Sequence, residues 1–261
     1  MAGISALYLQ DFYGYLLVFT RFAGFFSSAP LFSEQRINIR LRLLLTLLLT
    51  LIIAPAVEQH LPKTMPSQSF IFDLMLMGEL LLGVFAGMIG RVLIAALDIA
   101  GSLIGFQMGL ANAFINSPAT AQQTGLPTAY ISIMAVLLIF VTGFHQTMIM
   151  MMIESYALFQ PGNLESFTTL TGDMANTFTR FMSASFLLGL QVGAPVTILG
   201  LVMMSAAGIV NRLMPQIQVF FILQPLQILL GFIVLTLSLT IVLSYYIQDF
   251  ALKYQSLWNM G

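Results

Sequence analysis

Four charged residues stand inside otherwise apolar stretches of this sequence: Arg21, Glu79, Arg91 and Asp98. Charges at such positions are costly in lipid, so they face protein or water, pair with one another, or mark an ion path. Arg91 and Asp98 are seven residues apart, on one helix face but two turns distant, and do not pair directly. Pairing across helices, Arg21 or Arg91 with Glu79 or Asp98, is the first expectation. The alternative is a relay through Glu79, Arg91 and Asp98, which would make the chain a self-contained ion-coupled secondary transporter. Transporters of that kind often carry internal repeats. The two halves of this sequence show no convincing one, which places the alternative second.

Other reactive chemistry is scarce. His145, in the run FHQ, has only His60 in a distant loop as a second histidine, so no histidine-based metal set forms. A hydrogen-bonded place at a helix interface is expected for it. With no cysteine there are no disulfides, thiolate nucleophiles or thiolate metal sites. HExxH, GxSxG and Walker A patterns are missing. No catalytic centre, metal or cofactor is expected. Nine basic residues against ten acidic ones argue against a nucleic-acid partner.

The elements that must hold these charges are membrane helices. The chain has 261 residues, of which 59% are hydrophobic and 7% charged, and its mean hydropathy is +0.95. Ordinary globular domains carry about 25% charged residues, and a soluble fold with so few could not cover its surface. The fold class is therefore all-α, a polytopic integral membrane protein surrounded by lipid. Its first residues lack the basic n-region and small-residue cleavage site of a removable signal, so the first helix is expected to serve as an uncleaved insertion signal.

A span needs about 20 apolar residues. The expected spans are 12–32, containing Arg21; 43–57, stopping at Pro55; 130–153; 178–210, kinked at Pro195; and 220–247. The segment 70–110 is twice as long as a span and carries Asp73, Glu79, Arg91 and Asp98. It is either two spans turning near Gly90-Arg91 or one helix protruding from the bilayer. Residues 154–175 read as an acidic loop with Glu154, Glu165, Asp173 and the turn signal Pro161-Gly162. Arg36, Arg40 and Arg42 mark 33–42 as a cytoplasmic loop. A single crossing by 70–110 would put Arg212 on the same side.

Glycine repeats suggest where helices approach one another. Gly83, Gly87 and Gly90 form one cluster, and Gly101, Gly105 and Gly109 recur every fourth residue on one face; Gly189 and Gly193 extend the theme. After Leu110 the composition turns to small and amide residues, and no charge occurs anywhere in 99–153. Such a segment is either a loop inside an assembly or lining a cavity, where irregular backbone is tolerated, or an external loop after a packing motif. Met148, Met150, Met151 and Met152 are either a compliant seal or lipid-facing filler, with filler favoured.

Four stretches in one order carry a family likeness: RFAGFFSSAPLFSEQRINIRLRLLLTLLL at 21–49, GELLLGVFAGMIGRVLIAALDIAGSLIGFQMGLANAFINSPA at 78–119, GFHQTMIMMMIESYALFQPG at 143–162 and NRLMPQIQVFFILQPLQILLG at 211–231. Over nearly the whole chain the sequence resembles the FliR family of flagellar export-gate proteins, whose virulence-system relatives are called SctT. The resemblance implies long, kinked helical hairpins built into a helical gate assembly at the flagellar basal body in the bacterial inner membrane. It implies FliP-type, FliQ-type and FlhB-type subunits as partners and exported unfolded polypeptides as cargo. It implies that 1–170 is FliP-like, that 171–261 is a FliQ-like hairpin with a tail, and that the overlong helices stand largely out of the bilayer. By position it places the channel plug on Gly109, Leu110, Ala111, Asn112, Ala113, Phe114, Ile115, Asn116, Ser117 and Pro118. In the family the methionine constriction belongs chiefly to a partner subunit, so Met148–Met152 receive no such role.

Overall fold

The computed structural model describes residues 2–30, 32, 37–62, 69–110, 125–161, 164–214, 216 and 219–256. Among these, all regular structure is helical: α1 (Ala2–Ser28), α2 (Ile39–Val57) with a short 3₁₀ turn at Glu58–His60, α3 (Ser69–Gln107), α4 (Leu126–Val141), α5 (Phe144–Leu158), α6 (Leu164–Leu213) and α7 (Val219–Ser256). Four of them are long and apolar enough to cross a membrane, or five spans if α4 and α5 together form a broken one.

Several expected boundaries move. Pro55 lies inside α2 and the helix runs two residues further; a proline removes one hydrogen bond, and a last turn has little left to lose. The open question over 70–110 resolves as one helix of 39 residues, unbroken through Gly90-Arg91. The expected single span 130–153 is instead two helices, interrupted at Thr142-Gly143, where Gly143 adopts φ +70°. That left-handed conformation ends a helix and suits glycine. The acidic loop expected over 154–175 is mostly helix: α5 continues to Leu158 and α6 starts at Leu164. α6 then runs 50 residues without a break at Pro195.

The chain forms two compact units. One comprises Met1–Val92, Gly143–Phe181 and Leu252–Gly261, the other Leu93–Thr142 and Met182–Ala251. In the first unit, Phe22, Phe25 and Phe26 of α1 are fully buried. Met148, Met151 and Met152 of α5 are buried too, and only Met150 is exposed, so three of the four methionines are core rather than lipid-facing filler. α2 is patterned inside out. Thr46 and Thr50 are buried with their hydroxyls donating to the carbonyls of Arg42 and Thr46, while Leu44, Leu48, Leu51 and Ile52 face outward. That arrangement suits lipid, since each hydroxyl is satisfied within its own helix.

In the second unit the end of α3 packs with α4, α6 and α7. A Cβ on Gly101 would overlap the backbone of Thr128, and one on Gly189 would come 2.7 Å from the carbonyl of Ala96. The buried Tyr246 of α7 donates its hydroxyl to the Leu93 carbonyl at 3.2 Å.

Candidate functional site

Arg21 makes four side-chain hydrogen bonds in the first unit. It is wholly buried, as is nearly all of Glu79. Its Nε donates to Glu79 Oε2 at 2.5 Å and its Nη2 to Glu79 Oε1 at 3.1 Å, a side-on bidentate pair. Nη1 donates to Ser155 Oγ at 3.0 Å, and Nη2 also to the Phe159 carbonyl at 2.7 Å. The guanidinium carbon lies 3.8 Å from the ring centroid of Tyr156, within cation–π range. One cation thus joins α1, α3 and α5.

Helix spacing explains how the pair is brought together. Arg21, Gly24 and Ser28 share one face of α1, and Glu79, Gly83 and Gly87 share one face of α3. A Cβ on Gly24 would stand 2.5 Å from the Leu80 carbonyl, and one on Gly83 would overlap the Arg21 carbonyl. Ser28 Oγ donates across to the Val84 carbonyl at 2.9 Å. Two backbones this close leave Arg21 and Glu79 no room for water between them. Burial of both charges is tolerable because nearly every donor and both carboxylate oxygens are engaged. The Phe159 carbonyl is, moreover, at the C-terminal end of α5, where a positive charge is favoured.

The other predicted charges differ. Arg91 is exposed and makes no ion pair among the described residues. Asp98 is exposed on α3 in the second unit, where it accepts from Ser132 Oγ of α4 at 2.8 Å. Glu79 is committed to Arg21, so nothing in this geometry links it to a relay. His145 is half-buried, and no metal-holding group of His, Asp and Glu occurs among the described residues.

Of the predicted packing glycines, Gly83, Gly87 and Gly101 face close neighbours. A Cβ on Gly105 would meet only Pro127, at 3.8 Å. Gly109 has a different part. At φ +72° it follows the end of α3, with Gly109 N–H donating to the Phe106 carbonyl and Leu110 N–H to the Gly105 carbonyl, both at 3.0 Å. These are the two bonds of a Schellman cap, which favours glycine at this position. Ala111, Asn112, Ala113, Phe114, Ile115, Asn116, Ser117 and Pro118, the rest of the predicted plug, lie outside the described residues.

Gly24, Ser155, Tyr156 and Phe159 fall within the stretches that carry the family likeness, but no charge or spacing assigns them a role. Gly24 stands one turn from Arg21, and a small residue one turn from a buried charge was the available signal. Ser155 and Tyr156 are the polar pair closing the methionine run, just before Pro161.

Long apolar helices joined through a buried ion pair define a multi-pass, all-helical membrane protein. The family described as "Bacterial export proteins, family 1" matches residues 12–252. The chain is 32% identical over 226 residues to flagellar biosynthetic protein FliR of Caulobacter vibrioides, covering 86% of this chain and 87% of that protein. It is 29% identical over 251 residues to FliR of Bacillus subtilis, covering 95% of each. With FliR of Escherichia coli it shares 27% over 215 residues, 81% of this chain and 78% of that one. The chain belongs to this FliR family of bacterial export proteins, and is accordingly a multi-pass inner-membrane subunit of the flagellar export apparatus.

Proposed function

We propose that the chain is a structural and gating subunit of the flagellar type III export channel, working without a catalytic centre of its own. It assembles with FliP-type and FliQ-type subunits, associates with an FlhB-type subunit, and passes unfolded flagellar proteins. In this reading 1–170 is the FliP-like part and 171–261 the FliQ-like part, a division by likeness rather than by compactness, since the boundary falls within α6. Gly109–Pro118 plugs the pore.

The observation that carries the assembly is apolar length. The apolar stretch of α7, Phe221–Phe250, has 30 residues with only 17% of its most apolar part buried. At about 1.5 Å per residue it is roughly 45 Å long, against about 30 Å of hydrocarbon. Tilt within the usual limit of about 40° does not absorb the excess. Phe221, Ile222, Leu229, Leu237 and Ile241 are exposed along this length. Lipid cannot cover them all, so protein partners must. α6, at 50 residues, overshoots the bilayer further still.

Small and amide residues suit the plug because they close a pore without fixed charge and part without leaving a buried ion. A mild-detergent pulldown of the tagged chain, followed by mass spectrometry, tests the assembly. FliP-type and FliQ-type subunits in one large complex are the expected outcome, and a stable partnerless monomer would overturn it. Deleting Asn112–Ser117 from the assembled gate is expected to raise small-ion leakage; an unchanged leak would remove the plug assignment.

A further inference from the structure

Where α7 overshoots the bilayer, α2 fits it. Its 19 residues rise about 28 Å, close to the hydrocarbon thickness of about 30 Å. The helix packs against α1, and its buried residues Thr46, Thr50, Ile53, Ala54 and Val57 share one side. On the outward side Leu44, Leu47, Leu48 and Leu51 are all exposed, and Arg40, exposed as well, heads this column. From Arg40 to Leu51 is about 16 Å along the axis. That is one leaflet, half of the hydrocarbon thickness.

The two ends of α2 differ in charge. Arg40 and Arg42 stand in the first turn, which holds no acid, whereas Glu58 caps the last. Cations are unfavourable at the positive end of a helix dipole, and an anion beside them reverses the sign of that effect. The backbone there is already served, because Asn38 Oδ1 accepts from the Arg40 N–H at 3.0 Å. What the end presents outward is a guanidinium, whose planar fork matches two oxygens of a phosphate. Below it the outward side offers hydrocarbon and no group for a polar partner to bond.

We propose that the basic end of α2 binds an anionic phospholipid, with the phosphate on the Arg40 guanidinium and an acyl chain lying along Leu44, Leu47 and Leu51. Length and charge select the same occupant. A helix that matches the bilayer brings its first turn to the headgroup layer, where phosphates are. Arg42 adds a second positive charge on that turn, which favours a lipid with net negative charge over a zwitterionic one. Such a site is independent of the plug assignment.

The test places a benzophenone-bearing phenylalanine at Leu44 of the full chain, together with the subunits that copurify with it. The sample is irradiated in phosphatidylcholine vesicles containing a minor share of phosphatidylglycerol, and the adducts are identified by mass. Phosphatidylglycerol adducts are expected to exceed that lipid's share of the bilayer by at least about fivefold, the effect of one arginine near a charged headgroup. Arg40→Gln is expected to lower the enrichment about fivefold, and Arg40→Lys to keep most of it. A protein adduct at Leu44 overturns the proposal, because a partner helix would then cover this face. Lipid adducts in the proportions of the bilayer overturn it too, as does an enrichment that Arg40→Gln leaves unchanged. Should Arg40→Gln fail to insert, high salt replaces it, since salt screens an exposed pair. Enrichment in the unsubstituted Arg40 chain is expected to fall with salt, and a constant value overturns the site.

Discussion

In the compact unit containing α1, the carbonyl at the end of α5 is met by Arg21; in the unit containing α4, the carbonyl at the end of α3 is met by Gln227. Both are side chains reaching from another helix to a terminal carbonyl. Arg21 carries three further hydrogen bonds and a net charge, and it is wholly buried. Gln227 makes one bond, is neutral and is half-buried. The charged donor ties three helices so firmly that losing any partner strands an ion. The neutral donor fixes one turn, at little cost if it lets go. A cluster of the first kind suits a part that must stay fixed, and a clasp of the second kind can release and re-form without stranding a charge.

The largest test of that contrast is Arg21→Met. It leaves Glu79 buried and unpaired, which costs about 3–5 kcal/mol, and essentially no intact gate complex is expected on a native gel. Arg21→Met combined with Glu79→Met removes both charges and should restore much of the yield. If the double variant is as poor as the single, the pair is not the reason for the loss. Gly83→Ala comes next. Its methyl group meets the Arg21 carbonyl, an overpacking worth about 1–3 kcal/mol, read as a lower midpoint of thermal unfolding in detergent. Asp98→Asn keeps shape and the acceptor for Ser132, so complex yield should stay within about twofold of wild type. A collapse there would show that exposed Asp98 serves a partner. Smallest is Gly105→Ala, where the added methyl has ordinary contact only. Helix propensity favours it by up to about 1 kcal/mol, and wild-type or slightly raised stability is expected.

Much of the fold follows from hydropathy alone, because a chain this apolar has few ways to satisfy its backbone. The buried charges were equally visible, since Arg21 and Glu79 interrupt long uncharged stretches. Their pairing was not, because Asp98 is chemically the same kind of acid. What selects Glu79 is the approach of α1 to α3 at Gly24 and Gly83, a three-dimensional fact. Gly143 was hidden for another reason: one glycine in an apolar run reads as packing, as Gly83 does, and only its backbone conformation distinguishes a break from a contact. The acidic residues of 154–175 point to a loop where the chain is mostly helix, because composition alone does not separate a polar stretch of helix from a loop. Gln227 left no trace in the pattern, because a neutral amide on an apolar helix carries no charge or periodicity to mark what it bonds to. The change of composition after Leu110 is legible in the sequence, and the cap at Gly109 gives the physical reason α3 stops there.

Arg21 also sets a timetable. Glu79 lies 58 residues behind it and Phe159 138 residues behind. At a synthesis rate of about 5–20 residues per second, the arginine waits roughly 3–12 s for its carboxylate and roughly 7–28 s for its carbonyl. During that interval the first helix carries an unmatched cation, which cannot rest at the bilayer centre. It must linger near the headgroups or beside the insertion machinery, and settles only as later helices arrive. α1 therefore reaches its final depth only after α3 and α5 have emerged.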